Sequence, residues 1–247
     1  MNENSYNQYL AESSGWLHTG RSALIARILG FFAPRDQVAL DILEIGAGAG
    51  QNVPVLSRHG VVDVLEVDEK GLVELRKRTD VRLVIDQGIP CQLDRSYDII
   101  CAFDVIEHLE DDRGTMQWIS DNLKPGGLCL VTVPAHPWFF TRHDQALGHH
   151  RRYTRQSFRA IIPTNLERLA DSHFNTVLFP LAILARWAWV VKNLFTRVVD
   201  LNKQPVPSQG MLSGILLSIF LKEIEATRPE TSRSFGLSYY ACLKKKA

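Results

Sequence analysis

The chain has 247 residues, 45% of them hydrophobic and 22% charged. That balance is globular and excludes a disordered, collagen-like or coiled-coil chain. Its 28 Lys and Arg against 27 Asp and Glu leave a net charge of +1. No overall field therefore draws the molecule to nucleic acid or to a membrane, and any such attraction must be local.

Helix-like spacing of Leu24, Ile25, Ile28, Leu29 and Phe32 predicts an amphipathic helix over 19–32, with Thr19 as its cap and Pro34 closing it. Strands follow at 39–45, 61–67, 81–85, 97–103 and 128–133, with helical segments at 72–77 and 115–123 between them. Alternation of short apolar strands with helices predicts an α/β fold with a mostly parallel sheet. Beyond Pro134 the pattern changes. Residues 135–153 read as a polar, aromatic and histidine-rich loop, 155–170 as a helix and 173–179 as a strand. A strongly apolar helical stretch fills 181–226, and a last strand is expected at 237–243. The reading is one domain, 1–247, with a core over 39–180 and 235–247, a helical segment over 1–38 and a helical insertion or lid over 181–234.

Cys91, Cys101, Cys129 and Cys242 form no CxxC pair, and three of them sit in apolar runs. They read as core residues rather than disulfide or zinc partners. The polar start, Met1 to Ser5, lacks the pattern of a signal peptide, so a cytoplasmic protein is expected. The nearest approach to a membrane span, 177–199, is interrupted by Arg186, Lys192, Asn193 and Arg197. Its aromatic and basic mixture suits a lid, a subunit contact or a peripheral membrane contact.

The most informative segment is Leu43-Glu44-Ile45-Gly46-Ala47-Gly48-Ala49-Gly50. Glycines directly after a strand let the backbone turn sharply and approach a ligand without a Cβ in the way. Asp68 ends the next strand, where a carboxylate can accept hydrogen bonds from both hydroxyls of a ribose. A dinucleotide fingerprint would place its last glycine at Gln51, so a NAD-type oxidoreductase is the weaker reading. S-adenosyl-L-methionine has no phosphate to cradle, and its ammonium group suits the acid at Glu44.

These residues, together with Glu66-Val67-Asp68, Asp86-Gln87, the run from Tyr97 to His108 and Leu123-Lys124-Pro125-Gly126-Gly127, resemble the class I S-adenosylmethionine-dependent methyltransferases. The resemblance implies a Rossmann-like sheet of seven strands, the last of them antiparallel. It also implies a glycine loop (Gly46, Gly48, Gly50) against the methionine part of the cofactor. Asp68 would then meet the ribose, Asp86 and Gln87 the adenine, and Asp104 the floor below the sulfonium. Trp16 and the Gly20-Arg21 pair resemble a family pattern in which Arg21 pairs with the cofactor carboxylate.

Ligands in such sheets bind beyond the carboxyl ends of the strands, which draws attention to Asp104, Glu107 and His108 and to 135–153. The latter holds His136, His143, His149 and His150, with Arg142 beside His143 and Arg151, Arg152 and Tyr153 at its end. Three uses compete: anchoring of the loop, binding of an anionic acceptor by Arg151 and Arg152 with Tyr153 beside them, and base catalysis by His149, His150 or His108. No HxxxH or HExxH spacing is present, so no metal is expected. The sequence therefore reads as a methyltransferase for a small-molecule or lipid-like acceptor, with nucleic acid disfavoured by the lack of a basic stripe. A non-catalytic module that binds S-adenosyl-L-methionine is the alternative.

Overall fold

A computed structural model of the chain describes residues 15–34, 39–181, 183–184, 211–228 and 231–246. Helix α1 (Trp16–Phe32) leads to strand β1 (Leu40–Ile45), helix α2 (Val53–Leu56), strand β2 (Gly60–Glu66) and helix α3 (Glu69–Leu75). Strands β3 (Leu83–Asp86) and β4 (Tyr97–Phe103), helix α4 (Asp112–Asn122) and strand β5 (Leu123–Pro134) follow. The remainder comprises helices α5 (Arg142–Leu147) and α6 (Arg155–Arg159), strand β6 (Leu166–Phe174), helix α7 (Met211–Glu225) and strand β7 (Ser238–Lys245). Most of the helical stretch expected over 181–226 lies outside the described residues, as do 1–14.

The strands form one sheet in the order β3-β2-β1-β4-β5-β7-β6. From β3 to β5 every neighbouring pair is parallel, and β7 runs antiparallel to both β5 and β6. This is the seven-stranded, mostly parallel sheet with an antiparallel last strand that the resemblance implies. Strands buried on both faces need continuous apolar sequence, which is why the runs were legible. On β4, Ile99 and Cys101 enter the core cluster on one face, and Ile100 and Ala102 the cluster on the other. Cys101, Cys129 and Cys242 are all buried and unoxidised.

Helix α1 buries Leu24, Ile25, Ile28 and Leu29 as its spacing requires, but begins at Trp16. Thr19 lies inside it and bonds back to the Gly15 carbonyl instead of capping it. Helix α7 packs on α1, where a Cβ at Gly20 would fall inside the Phe220 ring. Phe220 also meets Trp16 edge-on and stacks with Phe174. Among the described residues no helix is long and apolar enough to cross a membrane.

Two expectations fail. The helix expected over 155–170 stops at Arg159, and its second half is the edge strand β6. Thr154 and Ser157 form a capping box that starts α6, and Pro163 prevents its continuation. The strand expected over 173–179 accordingly ends at Phe174, where Asn175 turns out with φ 58°. The reason is tertiary: β7 has a free edge, and residues 166–174 pair with it along their length. The loop expected at 135–153 also contains the short helix α5.

Candidate functional site

The sheet reverses direction of growth at β1, which lies between β2 and β4. Such a switch point opens a crevice at the carboxyl ends of the strands. Gly46, Gly48 and Gly50 stand there with φ of 63°, 57° and 78°. A Cβ at Gly46 would come within 2.6 Å of Val105 Cγ2, so the residue must be glycine on two counts. Glu66 fastens the loop from the end of β2. Its Oε2 accepts from Gly48 N at 2.6 Å, and its Oε1 from Val67 N and Asp68 N at 2.7 and 2.9 Å. Asp68 caps α3, with Oδ1 accepting from Lys70 N and Gly71 N.

Glu44 is 1% exposed. Asn52 Nδ2 donates to its Oε1 at 2.7 Å, while Oε2 has no hydrogen-bond partner among the described residues. Burial, offset only in part by Asn52 and Arg21, pushes its carboxyl up to about 7. Asn52 Oδ1 in turn meets His18 Nε2 at 3.2 Å, and burial beside Arg21 holds that imidazole down at about 4. Neither residue was expected in the site. His18 sits three residues before Arg21, on one face of α1, and that spacing was the available signal.

A cavity of about 270 Å³ adjoins this loop, bounded by Arg21, Gly46, Asp104, His108, His149 and Phe220 among others. Arg21 Nη1 forms an ion pair with Asp104 Oδ2, and Thr132 Oγ1 donates to Asp104 Oδ1 at 2.9 Å. Asp104 holds φ 54°, so its backbone is bent to aim the carboxylate inward. Asp86, at the end of β3, is exposed and pairs with Arg76 at 2.8 Å; Gln87 beside it is exposed.

The other end of the cavity is built from two loops. Glu107 is completely buried, and neither of its carboxylate oxygens has a partner among the described residues. Burial and the Asp104 carboxylate push its carboxyl well above the usual range. His108 and His149 meet edge to face with ring centres 4.5 Å apart. Burial and the neighbouring His149 hold His108 down at about 4. His149 Nδ1 bonds Asp144 Oδ1 at 3.2 Å. Burial opposes the charge on Asp144, but His149, Arg152 and Thr141 outweigh it and keep the carboxyl well below the ordinary range.

The other residues singled out in this loop face elsewhere. His150 is exposed, and its backbone N–H donates to the Glu107 carbonyl at 2.8 Å. Arg151 pairs with Asp112 at 2.7 Å and donates to the Glu110 carbonyl. Arg152 pairs with Asp144 at 2.7 Å, donates to the Ala135 carbonyl and lies over the Phe139 ring. Tyr153 is 2% exposed and donates to Asp112 Oδ2 at 3.0 Å.

The family described as "Methyltransferase domain" matches residues 17–175, and the chain belongs to it. A Mycolicibacterium smegmatis protein named "Probable S-adenosylmethionine-dependent methyltransferase" is 32% identical over 113 residues, 44% of this chain and 43% of the relative. The ubiquinone biosynthesis O-methyltransferase of Idiomarina loihiensis is 23% identical, over 53% of this chain and 59% of the relative. The chain thus spans only about half the length of these curated relatives. Among solved structures, the plantazolicin methyltransferase BpumL in complex with SAH matches 99% of this chain and 88% of its own, with a TM-score of 0.59 at 12% identity. That likeness is one of fold.

Proposed function

We propose that this protein transfers the methyl group of S-adenosyl-L-methionine to a small-molecule or lipid-like acceptor, at oxygen or nitrogen. The observation that carries this reading is the buried Glu44 carboxylate. It holds an unbonded oxygen just before three left-handed glycines, the first of which, Gly46, lines a cavity also lined by His18, His108 and His149. A cradle that a Cβ would fill and an orphaned buried oxygen fit a ligand carrying an ammonium group.

In this reading Glu44 takes the cofactor ammonium, and Arg21 its carboxylate. Asp68 has Oδ1 committed to the α3 cap, and Oδ2 turns to the ribose hydroxyls. Asp86 and Gln87 flank the adenine, and Asp104 forms the floor. The cofactor supplies a methyl group on a sulfonium, a leaving group good enough for direct in-line displacement. The protein therefore contributes alignment and proximity more than acid–base chemistry. Phe220 closes one wall of the cavity. His108 and His149 face the acceptor's heteroatom, with Asp144 orienting His149. Arg151, Arg152 and Tyr153 have their polar atoms engaged within the protein, and we assign them to anchoring the loop rather than to holding an anion. The relative named as an O-methyltransferase supports oxygen as the acceptor atom. The chain reads as one domain with α7 as part of its cover.

Incubation with methyl-labelled S-adenosyl-L-methionine and a cell extract, followed by identification of the labelled product, tests this. A labelled small molecule or lipid is expected. Binding of S-adenosylhomocysteine without any labelled product from a broad acceptor panel would favour a binding module instead. NAD binding without S-adenosylhomocysteine binding would overturn the reading.

A further inference from the structure

One group of side chains at the far end of the cavity takes no part in the proposed cofactor binding. One carboxylate oxygen of Glu107 and one ring nitrogen each from His108 and His149 lie within 4.8 Å of one another. Glu107 is 0% exposed, and both its oxygens lack partners among the described residues. A buried carboxylate in that state is costly unless it is protonated, paired or bound to a cation. One of the two imidazoles has a nitrogen engaged. His149 Nδ1 is held by the Asp144 carboxylate, while His108 Nδ1 lies near Gly148. His149 thus has its second nitrogen left to offer, and its orientation is set from behind. Metal-bound histidines are supported in just this way, by a carboxylate or a backbone carbonyl on the second nitrogen.

We propose that Glu107, His108 and His149 bind a divalent first-row transition-metal ion, zinc foremost, with a fourth position open to the cavity. Two imidazoles and one carboxylate suit Zn²⁺, Fe²⁺ or Co²⁺, whereas Mg²⁺ and Ca²⁺ prefer oxygen donors throughout. Donors sit roughly 2.0–2.2 Å from such an ion, so small side-chain rotations must draw the three atoms inward. The ion satisfies Glu107, which no hydrogen bond does. Asp144 is a positioning residue that acts through His149. The ligands come from the turn after β4 and the end of the loop after β5, about 40 residues apart in sequence, which is why no HxxxH spacing reveals them. That the open position receives the acceptor's heteroatom rests on the methyl-transfer reading; the cation site itself rests on the donors alone.

The test uses the full chain, stripped with a chelator and titrated with ZnCl₂ by calorimetry and with CoCl₂ by visible absorption. One equivalent of cation is expected per chain. Glu107→Gln and His149→Ala should each weaken binding at least about 100-fold, and Asp144→Asn about 10–100-fold. His59→Ala, at the amino end of β2 and so at the opposite end of the parallel strands from the site, should leave it unchanged. Calorimetry with S-adenosylhomocysteine is run on every variant. Affinity within about threefold of native shows that the fold survives, and should Glu107→Gln fail this check, His149→Ala and Asp144→Asn carry the comparison. Loss of S-adenosylhomocysteine binding in the native protein strikes the methyltransferase reading and not the cation site. Native protein that takes up no stoichiometric cation, or Glu107→Gln and His149→Ala variants that bind as tightly as native, overturns the proposal.

Discussion

The two halves of the candidate site are built in different ways. The cofactor side, from the glycine loop to Asp104, draws its residues from the ends of successive parallel strands, and each of its elements is a short local motif. The acceptor side joins the turn after β4, the loop at 135–153 and helix α7, which are distant in sequence. Its charges are mutually engaged, as in Asp144 with His149 and Arg152, or left unbonded, as in Glu107. Short motifs at the strand ends set the first half, and Glu66 and the Arg21–Asp104 pair tie them together. The second depends on long-range contacts, so substitutions there should alter acceptor use without reaching the cofactor.

The largest effect should come from Gly48→Val. A β-branched residue is strained at φ 57° and would crowd a loop held by Glu66. S-adenosylhomocysteine affinity should fall more than about 100-fold, equivalent to about 2.7 kcal/mol; near-native affinity by calorimetry would show that the loop does not approach the cofactor.

Asp144→Ala should do the reverse. It strands the Arg152 guanidinium and releases His149, so stability should fall by roughly 3 kcal/mol. In the folded fraction, kcat/KM for the acceptor should drop at least about tenfold while S-adenosylhomocysteine affinity stays near native. Equal losses in both would show that the two halves are one unit.

Asp68→Ala should weaken cofactor binding by about 1–3 kcal/mol, since a charged hydrogen-bond acceptor is removed. Unchanged affinity would remove Asp68 from the site.

The most gradual effect concerns pH. The folded-state pKa of Glu44 is raised from 4.5 to about 7. Between these values the folded state holds a proton that the unfolded state has lost. The apo protein should therefore lose stability as pH rises from about 4.5 through about 7, by at most roughly 3 kcal/mol. Glu44→Gln should flatten that slope. A ligand ammonium favours the ionised carboxylate, so S-adenosyl-L-methionine binding near pH 6.5 should release a proton. Calorimetry in buffers of different ionisation heat would detect it, and binding with no proton release would break the pairing.

The strands β1, β2, β4 and β5 were legible because burial on both faces favours largely apolar runs, the half-exposed β3 because of its short β-branched run, and the glycine loop because only glycine accepts its φ values beside Val105. Glu66 illustrates a partial reading. It stood within the recognised run, yet its role as the fastener of Gly48 needs β1 and β2 side by side. Residues 155–170 show the limit. Their spacing is compatible with a helix, and only the free edge of β7 makes 166–174 a strand. Arg151 and Arg152 show another, since an exposed cation and a paired one are spelled alike.

By itself, then, the chain determined the parallel core, the glycine loop and the family, because those show in patterns of neighbours a few residues apart. The tertiary structure alone decided which side chains of the acceptor loop turn inward. It buried Glu107 without a partner, set His149 on Asp144 and spent Arg151 and Arg152 on Asp112 and Asp144. Burial and pairing are properties of what surrounds a side chain, and here the surroundings come from strands and loops far apart in the sequence.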